Sequence, residues 1–268
     1  MTLNIVAHPD DDLLFQNPDI LHDIDADRQV YTVYLTAGDA GQDSKYWTGR
    51  QEGIMEAYAT MAGMPNTWDS VALSVGGKDI LRYTLRDRDI SLVFMHLPDG
   101  NLGGDGFDST DHETLEKLWN NSIPSIRTVD DESDIRYTSD DLIETLRQLM
   151  DQLQVDSINS LDFINPYGSG DHSDHTSTGL FANEAAKLSS FPGDVNAYIG
   201  YPIQYLVANV TGDDLDRKRA AFYTYGKNDI HACASEVACA PLDYPKFLPR
   251  QYVANNMLQN PRIQRSEL

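Results

Sequence analysis

The sequence predicts an α/β fold: a mainly parallel sheet with helices on both faces, a Rossmann-like three-layer sandwich. Two observations predict it. Short apolar runs alternate with amphipathic stretches of helical period, and the runs end in Gly- and Asp-rich turn chemistry. "LNIVAH" (3–8) is such a run, and "QVYTVYLT" (29–36), rich in β-branched and aromatic residues, stops at the glycine loop "AGDAGQ". "TGRQEGIMEAYATMAGM" (48–64) opens with Thr48 and Gln51 in capping-box spacing. It puts Ile54, Tyr58 and Met61 on one helical face and reaches Gly63 as a stop. "ISLVFMHL" (90–97) reads as a strand running into the loop "PDGNLGGDG", and 110–123 reads as a helix. Residues 138–154 give the clearest helix, with Leu142, Leu146, Leu149 and Leu153 at helical spacing. A strand over 155–165, a strand over 196–210 and a helix over 212–225 complete the alternation. No repeat, low-complexity tract or linker interrupts it, so residues 1–268 read as one domain.

Bulk composition narrows the function. The chain has 41% apolar and 23% charged residues, ordinary for a globular protein, but its formal net charge is −22. That charge repels nucleic acid and anionic lipid, and fits either plain solubility or an acidic groove for a cationic ligand. No run of 18 apolar residues predicts a membrane span. The first strand begins within four residues of Met1, leaving no signal peptide; this predicts a cytoplasmic protein or a mature domain that has lost its leader. Cys233 and Cys239 stand six apart and could pair or stay free; pairing would imply an oxidising compartment. Asn120 and Asn209 match the glycosylation pattern, and together with the cysteines they tilt the expectation toward an extracellular location.

The polar clusters sit where ligands bind in such sheets, just past the strands' carboxyl ends. "AHPDDD" follows the first strand and "GSGDHSDHTS" the strand at 155–165. Asp10, Asp11 and Asp12 repel one another, and helix capping accounts for one or two of them but not for His8. His172 and His175 share a face if the chain turns helical after Asp171. One His, a carboxylate and a distant second His supply three N and O ligands, the number that catalytic zinc keeps while leaving a place for water. A further Asp can then act as base and the remaining His can donate to a developing oxyanion.

On these residues the chain resembles the PIG-L/LmbE family of zinc-dependent N-deacetylases, over roughly residues 3–225. "LTAGDAG", Arg50 with Glu52 and Ala57, and "LPDGNL" (97–102) support the resemblance. It implies an LmbE-like fold and a zinc ion on His8, Asp11 and His175. It also implies Asp10 as general base and His172 as the group that polarises the carbonyl and later protonates the leaving amine. Asp174 would orient an imidazole, and Arg50 and Asp99 would contact substrate, with a surface salt bridge and a turn as their alternative readings. Two positions depart from the family's pattern: the first motif ends in Asp12 instead of Glu, and Gly170 stands where some sugar deacetylases have a tyrosine, the nearest being Tyr167. The implied reaction is hydrolysis of an N-acetyl group from an N-acetylglucosamine-type sugar or glycoconjugate, with a small-molecule or oligosaccharide partner. The alternatives are an amidase for a thiol or antibiotic conjugate and a catalytically silent carbohydrate-binding domain. "YIGYPIQY" (198–205) offers either sugar-stacking faces or core packing.

Overall fold

The computed structural model describes residues 1–130 and 135–255. Its centre is a seven-stranded sheet of mixed but mostly parallel pairing. The strands are β1 (Thr2–Val6), β2 (Val30–Thr36), β3 (Trp68–Val75), β4 (Lys78–Leu85), β5 (Ile90–Leu97), β8 (Ser157–Leu161) and β9 (Asn196–Tyr198), in the order β3-β4-β5-β2-β1-β8-β9. From β5 to β9 every neighbouring pair is parallel; β3 and β4 pair antiparallel at one edge. A separate two-stranded ribbon joins β6 (Ile126–Arg127) to β7 (Arg136–Tyr137).

Every residue of β1 and β2 is buried, as both-face coverage requires. Along β2, Tyr34 enters one apolar layer and Val33 and Leu35 the other. The first layer is closed by α1 (Asp19–Asp25), α2 (Ser44–Met61) and α6 (Gly212–Tyr225), the second by α4 (Ser139–Leu153) and α5 (Ser173–Leu188). The expected sandwich is therefore present.

Several boundaries differ from the sequence reading, each for a local reason. α2 begins at Ser44 because the Asp43 side chain accepts from Tyr46 N; Thr48 lies inside the helix, its hydroxyl donating to Ser44 O. The helix expected over 110–123 shrinks to α3 (Leu115–Trp119), since Asp111 and His112 take φ of 51° and 56°, which helix cannot continue through. The strand expected over 196–210 stops at Tyr198: Gly200 turns the chain and Pro202 opens a 3₁₀ turn, Tyr201–Tyr205. The β3–β4 hairpin was not expected. Its two-residue turn is Gly76-Gly77, both at positive φ, but the flanking strands are half exposed and carry no clean alternation. The C-terminal part adds α7 (Glu236–Cys239) and α8 (Tyr244–Phe247), and Cys233 is disulfide-bonded to Cys239. No helix among the described residues is long and apolar enough to cross a membrane.

Candidate metal centre and active site

Both polar motifs converge at the carboxyl edge of β1 and β8, which are sheet neighbours. After β1, His8 N donates to Asp11 Oδ2 at 2.6 Å, folding the HPDD segment into a tight loop. Asp10 sits in that loop at φ 145°, a strained backbone for a residue with a Cβ, of a kind that persists where surrounding structure over-determines it. Asp12 then opens a π-helical turn, Asp12–Gln16. After β8, Asp162 Oδ1 accepts from the backbone of Ile164 and Asn165, and the loop ends at α5. His172 caps that helix, its Nδ1 accepting from Asp174 N at 3.1 Å, so its neutral form carries the proton on Nε2. His172 is therefore the cap and His175 lies in the first turn of the helix.

Asp11 lies between two imidazoles. His8 Nδ1 is 3.2 Å from Asp11 Oδ2, and His175 Nε2 is 3.0 Å from Asp11 Oδ1. The far nitrogens are held from behind: His8 Nε2 lies 3.2 Å from Asp174 Oδ2, and His175 Nδ1 2.7 Å from Asp171 Oδ1. Asp174 Oδ2 also accepts from Gly100 N at 2.7 Å, and Asp171 Oδ1 from the backbone N–H of His172 and of Tyr201. Asp99 stands 3.8 Å from both His8 Nε2 and His172 Nε2. It is fixed through its own N–H, which donates to Asp39 Oδ1 at 2.8 Å, and this gives the "AGDAG" loop its task.

Arg50 is buried against the same loop. Its guanidinium donates to Gly38 O at 2.6 Å, Pro9 O at 3.0 Å, Asp10 Oδ1 at 2.9 Å and the Tyr225 hydroxyl at 2.7 Å. Thus its contacts are with the protein, behind Asp10. Asp12 is fully buried under the site, where Oδ2 accepts from the hydroxyls of Tyr34 and Tyr58, each at 2.7 Å. Tyr167 hydrogen-bonds Ser177 on α5 at 3.0 Å. The aromatic ring beside the histidines belongs instead to Tyr201, whose centroid lies 5.1 Å from that of His175 and 6.3 Å from that of His172. Its hydroxyl has no hydrogen-bond partner among the described residues.

The electrostatics follow from burying so many acids together. Burial drives Asp10 up to about 7, against the pull of Arg50. Burial likewise raises Asp12 to about 6, opposed by its two tyrosine donors. Burial disfavours charge on His175, yet Asp11 and Asp171 outweigh it and lift the imidazole to about 10. His8 is raised in the same sense: burial opposes charge and Asp11 and Asp99 overcome it. His172 goes the other way, to about 4, because burial and the neighbouring His8 disfavour its cation. The resemblance implies a proton donor at His172, and these neighbours push its imidazole toward the neutral form.

Whether a metal fits is answered by the donor set. His8, Asp11 and His175 each offer a buried ligand atom within 4.8 Å of the others. His175 Nε2 is sealed from solvent and faces Asp11 Oδ1 at 3.0 Å without an aligned hydrogen bond. Both imidazoles are oriented from behind by carboxylates, the arrangement common to metal-ligating histidines. A divalent cation bound there would replace protons as the positive charge that Asp11 favours between these rings. A second group, His8 with Asp99, His172 and Asp174, shares His8, but meets its Nε2 edge, already engaged by Asp174. The first group fits a metal better.

A buried His/Asp centre at the carboxyl edge of a mostly parallel α/β sheet is what this fold and site define. The chain belongs to the PIG-L family, described as GlcNAc-PI de-N-acetylase, whose model matches residues 3–186. The family makes it an N-deacetylase type of hydrolase. Among solved structures, the chain is similar to the N,N'-diacetylchitobiose deacetylase of Pyrococcus horikoshii in complex with an inhibitor. The two are 15% identical, with 92% of this chain and 74% of that chain covered and a TM-score of 0.51. Similarity extends to the zinc-inhibited form of the teicoplanin deacetylase Orf2, 13% identical over 84% of this chain and 83% of that one at a TM-score of 0.48. GalB, the 4-carboxy-2-hydroxymuconate hydratase of Pseudomonas putida, is 16% identical over 83% of this chain and 77% of that one, with a TM-score of 0.47. No curated protein matches the chain by sequence.

Sequence reasoning missed Asp171, Tyr201, Tyr225 and Asp229. Asp171 could have been found, since it directly precedes the second motif; the other three lie on segments whose contacts with the site are purely tertiary.

Proposed function

We propose that the protein is a zinc-dependent deacetylase that hydrolyses the N-acetyl group of an N-acetylglucosamine-type sugar or glycoconjugate. The observation that carries the reading is the buried His8–Asp11–His175 group with Asp10 beside it. Two imidazoles and a carboxylate suit zinc. Bound there, zinc would supply Lewis acidity toward the carbonyl and the water.

The chain's own residues divide the remaining work. Asp10 Oδ1 is held by Arg50, while Oδ2 makes no hydrogen bond to a described residue and is the oxygen free to take a proton. It accepts that proton from the attacking water as a general base. His172 Nε2–H and the unpartnered Tyr201 hydroxyl donate toward the carbonyl oxygen as charge develops on it. When the C–N bond breaks, the proton held on Asp10 passes to the leaving nitrogen, giving acetate and a free amine. Asp99 and Asp174 keep His8 and His172 in register. Arg50 belongs to this support rather than to the substrate in our reading, and Asp99 remains the candidate substrate contact. A polar cleft of about 390 Å³ beside the site, with Asp39, Gln42, Trp47 and Pro98 on its wall, has room for a further sugar unit.

The test measures acetate and amine released from N-acetylglucosamine, chitooligomers and inositol-linked N-acetylglucosamine. The wild type should release both in equal amounts. Asp10→Asn should lose about 10² to 10⁴-fold in kcat while retaining its metal. Undiminished hydrolysis by that variant, or release of an acid other than acetate, rejects the assignment; the latter result favours the amidase alternative.

A further inference from the structure

We infer that Asp229, together with Tyr225, is a positioning residue for the hydrolytic base: it holds the outer edge of Arg50 so that Arg50 grips Asp10 by one oxygen only. The inference rests on the reading of Asp10 as base. Arg50 is held on its inner side by Gly38 O and Pro9 O, and touches Asp10 through Oδ1 at 2.9 Å. On the outer side its Nε donates to the Tyr225 hydroxyl at 2.7 Å and lies 3.2 Å from Asp229 Oδ2. The Tyr225 hydroxyl in turn donates to Asp229 Oδ2 at 2.5 Å. Tyr225 is fully buried and Asp229 is 4% exposed, so no solvent competes.

Two carboxylates therefore share one buried guanidinium. An arginine facing a single carboxylate tends to the two-pronged grip, which engages both oxygens. Such a grip on Asp10 would consume Oδ2, the oxygen left for the water's proton. Asp229 competes for the fork from the opposite side and prevents it. The chain is built for this approach. A Cβ at Gly49 would fall 2.8 Å from Asn228 O and one at Gly53 2.8 Å from Tyr225 O, so the two glycines let α2 close onto α6 and the segment after it. That segment is fastened by Asn228 to Glu56 at 2.9 Å. It lies beyond residue 186, outside the part of the chain that the family model matches.

The experiment compares acetate release by Asp229→Asn and Tyr225→Phe, alone and in an Asp10→Asn background, with a crystal structure of Asp229→Asn. Asp229→Asn should lose about 10-fold in kcat, a fraction of what a general base contributes, with KM within about twofold and metal content unchanged. In the Asp10→Asn background it should cost nothing further, since it acts through Asp10. Tyr225→Phe, which deletes one hydroxyl, should lose several-fold and serves if Asp229→Asn does not fold. An unchanged kcat in both variants, or the same loss without the Asp10 carboxylate, overturns the inference. Arg50 should engage both Asp10 oxygens in the variant crystal structure, and an unmoved Arg50 also overturns it. If the wild type itself releases no acetate, the deacetylase reading fails and the crystal geometry alone decides the positioning role.

Discussion

At the scale of the residue, the question is how one pocket keeps several carboxyl groups in different states. Asp11 is held well below the usual range by His175 and His8, which outweigh its burial, whereas burial, with Asp11 and Asp229 nearby, carries Asp10 up to about 7 against Arg50 and His8. In the proposed function these adjacent residues serve as base and ligand, and their different partners are what would set them apart. Asp12 is a third case: it faces away from the histidines, into two tyrosine hydroxyls. That contact gives Asp12 two fixed donors beneath the site. In the proposed function Tyr201 is the tyrosine that assists. Its ring is stacked on Phe247 with centroids 5.4 Å apart, and its backbone N–H donates to Asp171 Oδ1. Tyr201→Phe keeps the ring and its packing. It is expected to lose about 10²-fold in kcat, as for one oxyanion donor, with melting temperature and metal content unchanged. A loss of metal content in step with activity would show that the hydroxyl supports the metal centre and is not an oxyanion donor.

At the scale of the element, the strands and their order are what sequence pattern conveys well. β1, β2 and β5 are legible as apolar runs, since strands buried on both faces need no alternation. α4 is legible from its leucine period, and α6 falls where the chain reads as helical. The polar clusters that follow β1 and β8 could be paired because a parallel sheet gathers such ends on one edge. What the pattern did not convey is where an apolar run stops being a strand. β9 ends at Tyr198 because the chain must then pass beneath Asp171 and His175, and only glycine permits it. A Cβ at Gly200 would lie 2.4 Å from Asp171 Oδ1 and 2.5 Å from His175 Nδ1. The close approach of these two side chains leaves no space for a Cβ at this position. Gly200→Ala should therefore fold, since the rest of β9 is untouched, but push Asp171 off the His175 ring. Metal affinity is expected to fall about 10 to 100-fold, the usual effect of losing a carboxylate behind a metal-bound histidine. Titrating zinc into the metal-free variant measures this directly, and wild-type affinity would show that the loop gives way at no cost to the site.

At the scale of the whole molecule, the unread part of the site comes from one region. Tyr201, Tyr225 and Asp229 all follow α5, and no spacing relates them to the two motifs. They reach the site only because the C-terminal segments fold back over the first layer. Lys218 on α6 is a main fastener of that closure. It is fully buried, its ammonium donating to Asn17 O at 2.9 Å and Arg250 O at 2.8 Å, so it joins the π-helical turn of the first motif to the C-terminal segment. Burial lowers it to about 7, with Asp19 opposing only weakly. An unfolded lysine titrates near 10.4. Between these two values the unfolded chain binds a proton that the folded chain does not, so this residue's contribution to stability rises with pH across that window. Below about pH 7 both states are protonated and the burial cost is constant. Lys218→Met removes the titration and leaves two carbonyl groups without their donor. Urea unfolding of wild type and variant should diverge from pH 7 to 9.5, the wild type gaining roughly 2 to 3 kcal/mol relative to the variant. A difference that stays flat over that range would mean that Lys218 keeps its charge in the folded protein, with the two carbonyl groups and Asp19 stabilising the ammonium more than burial opposes it.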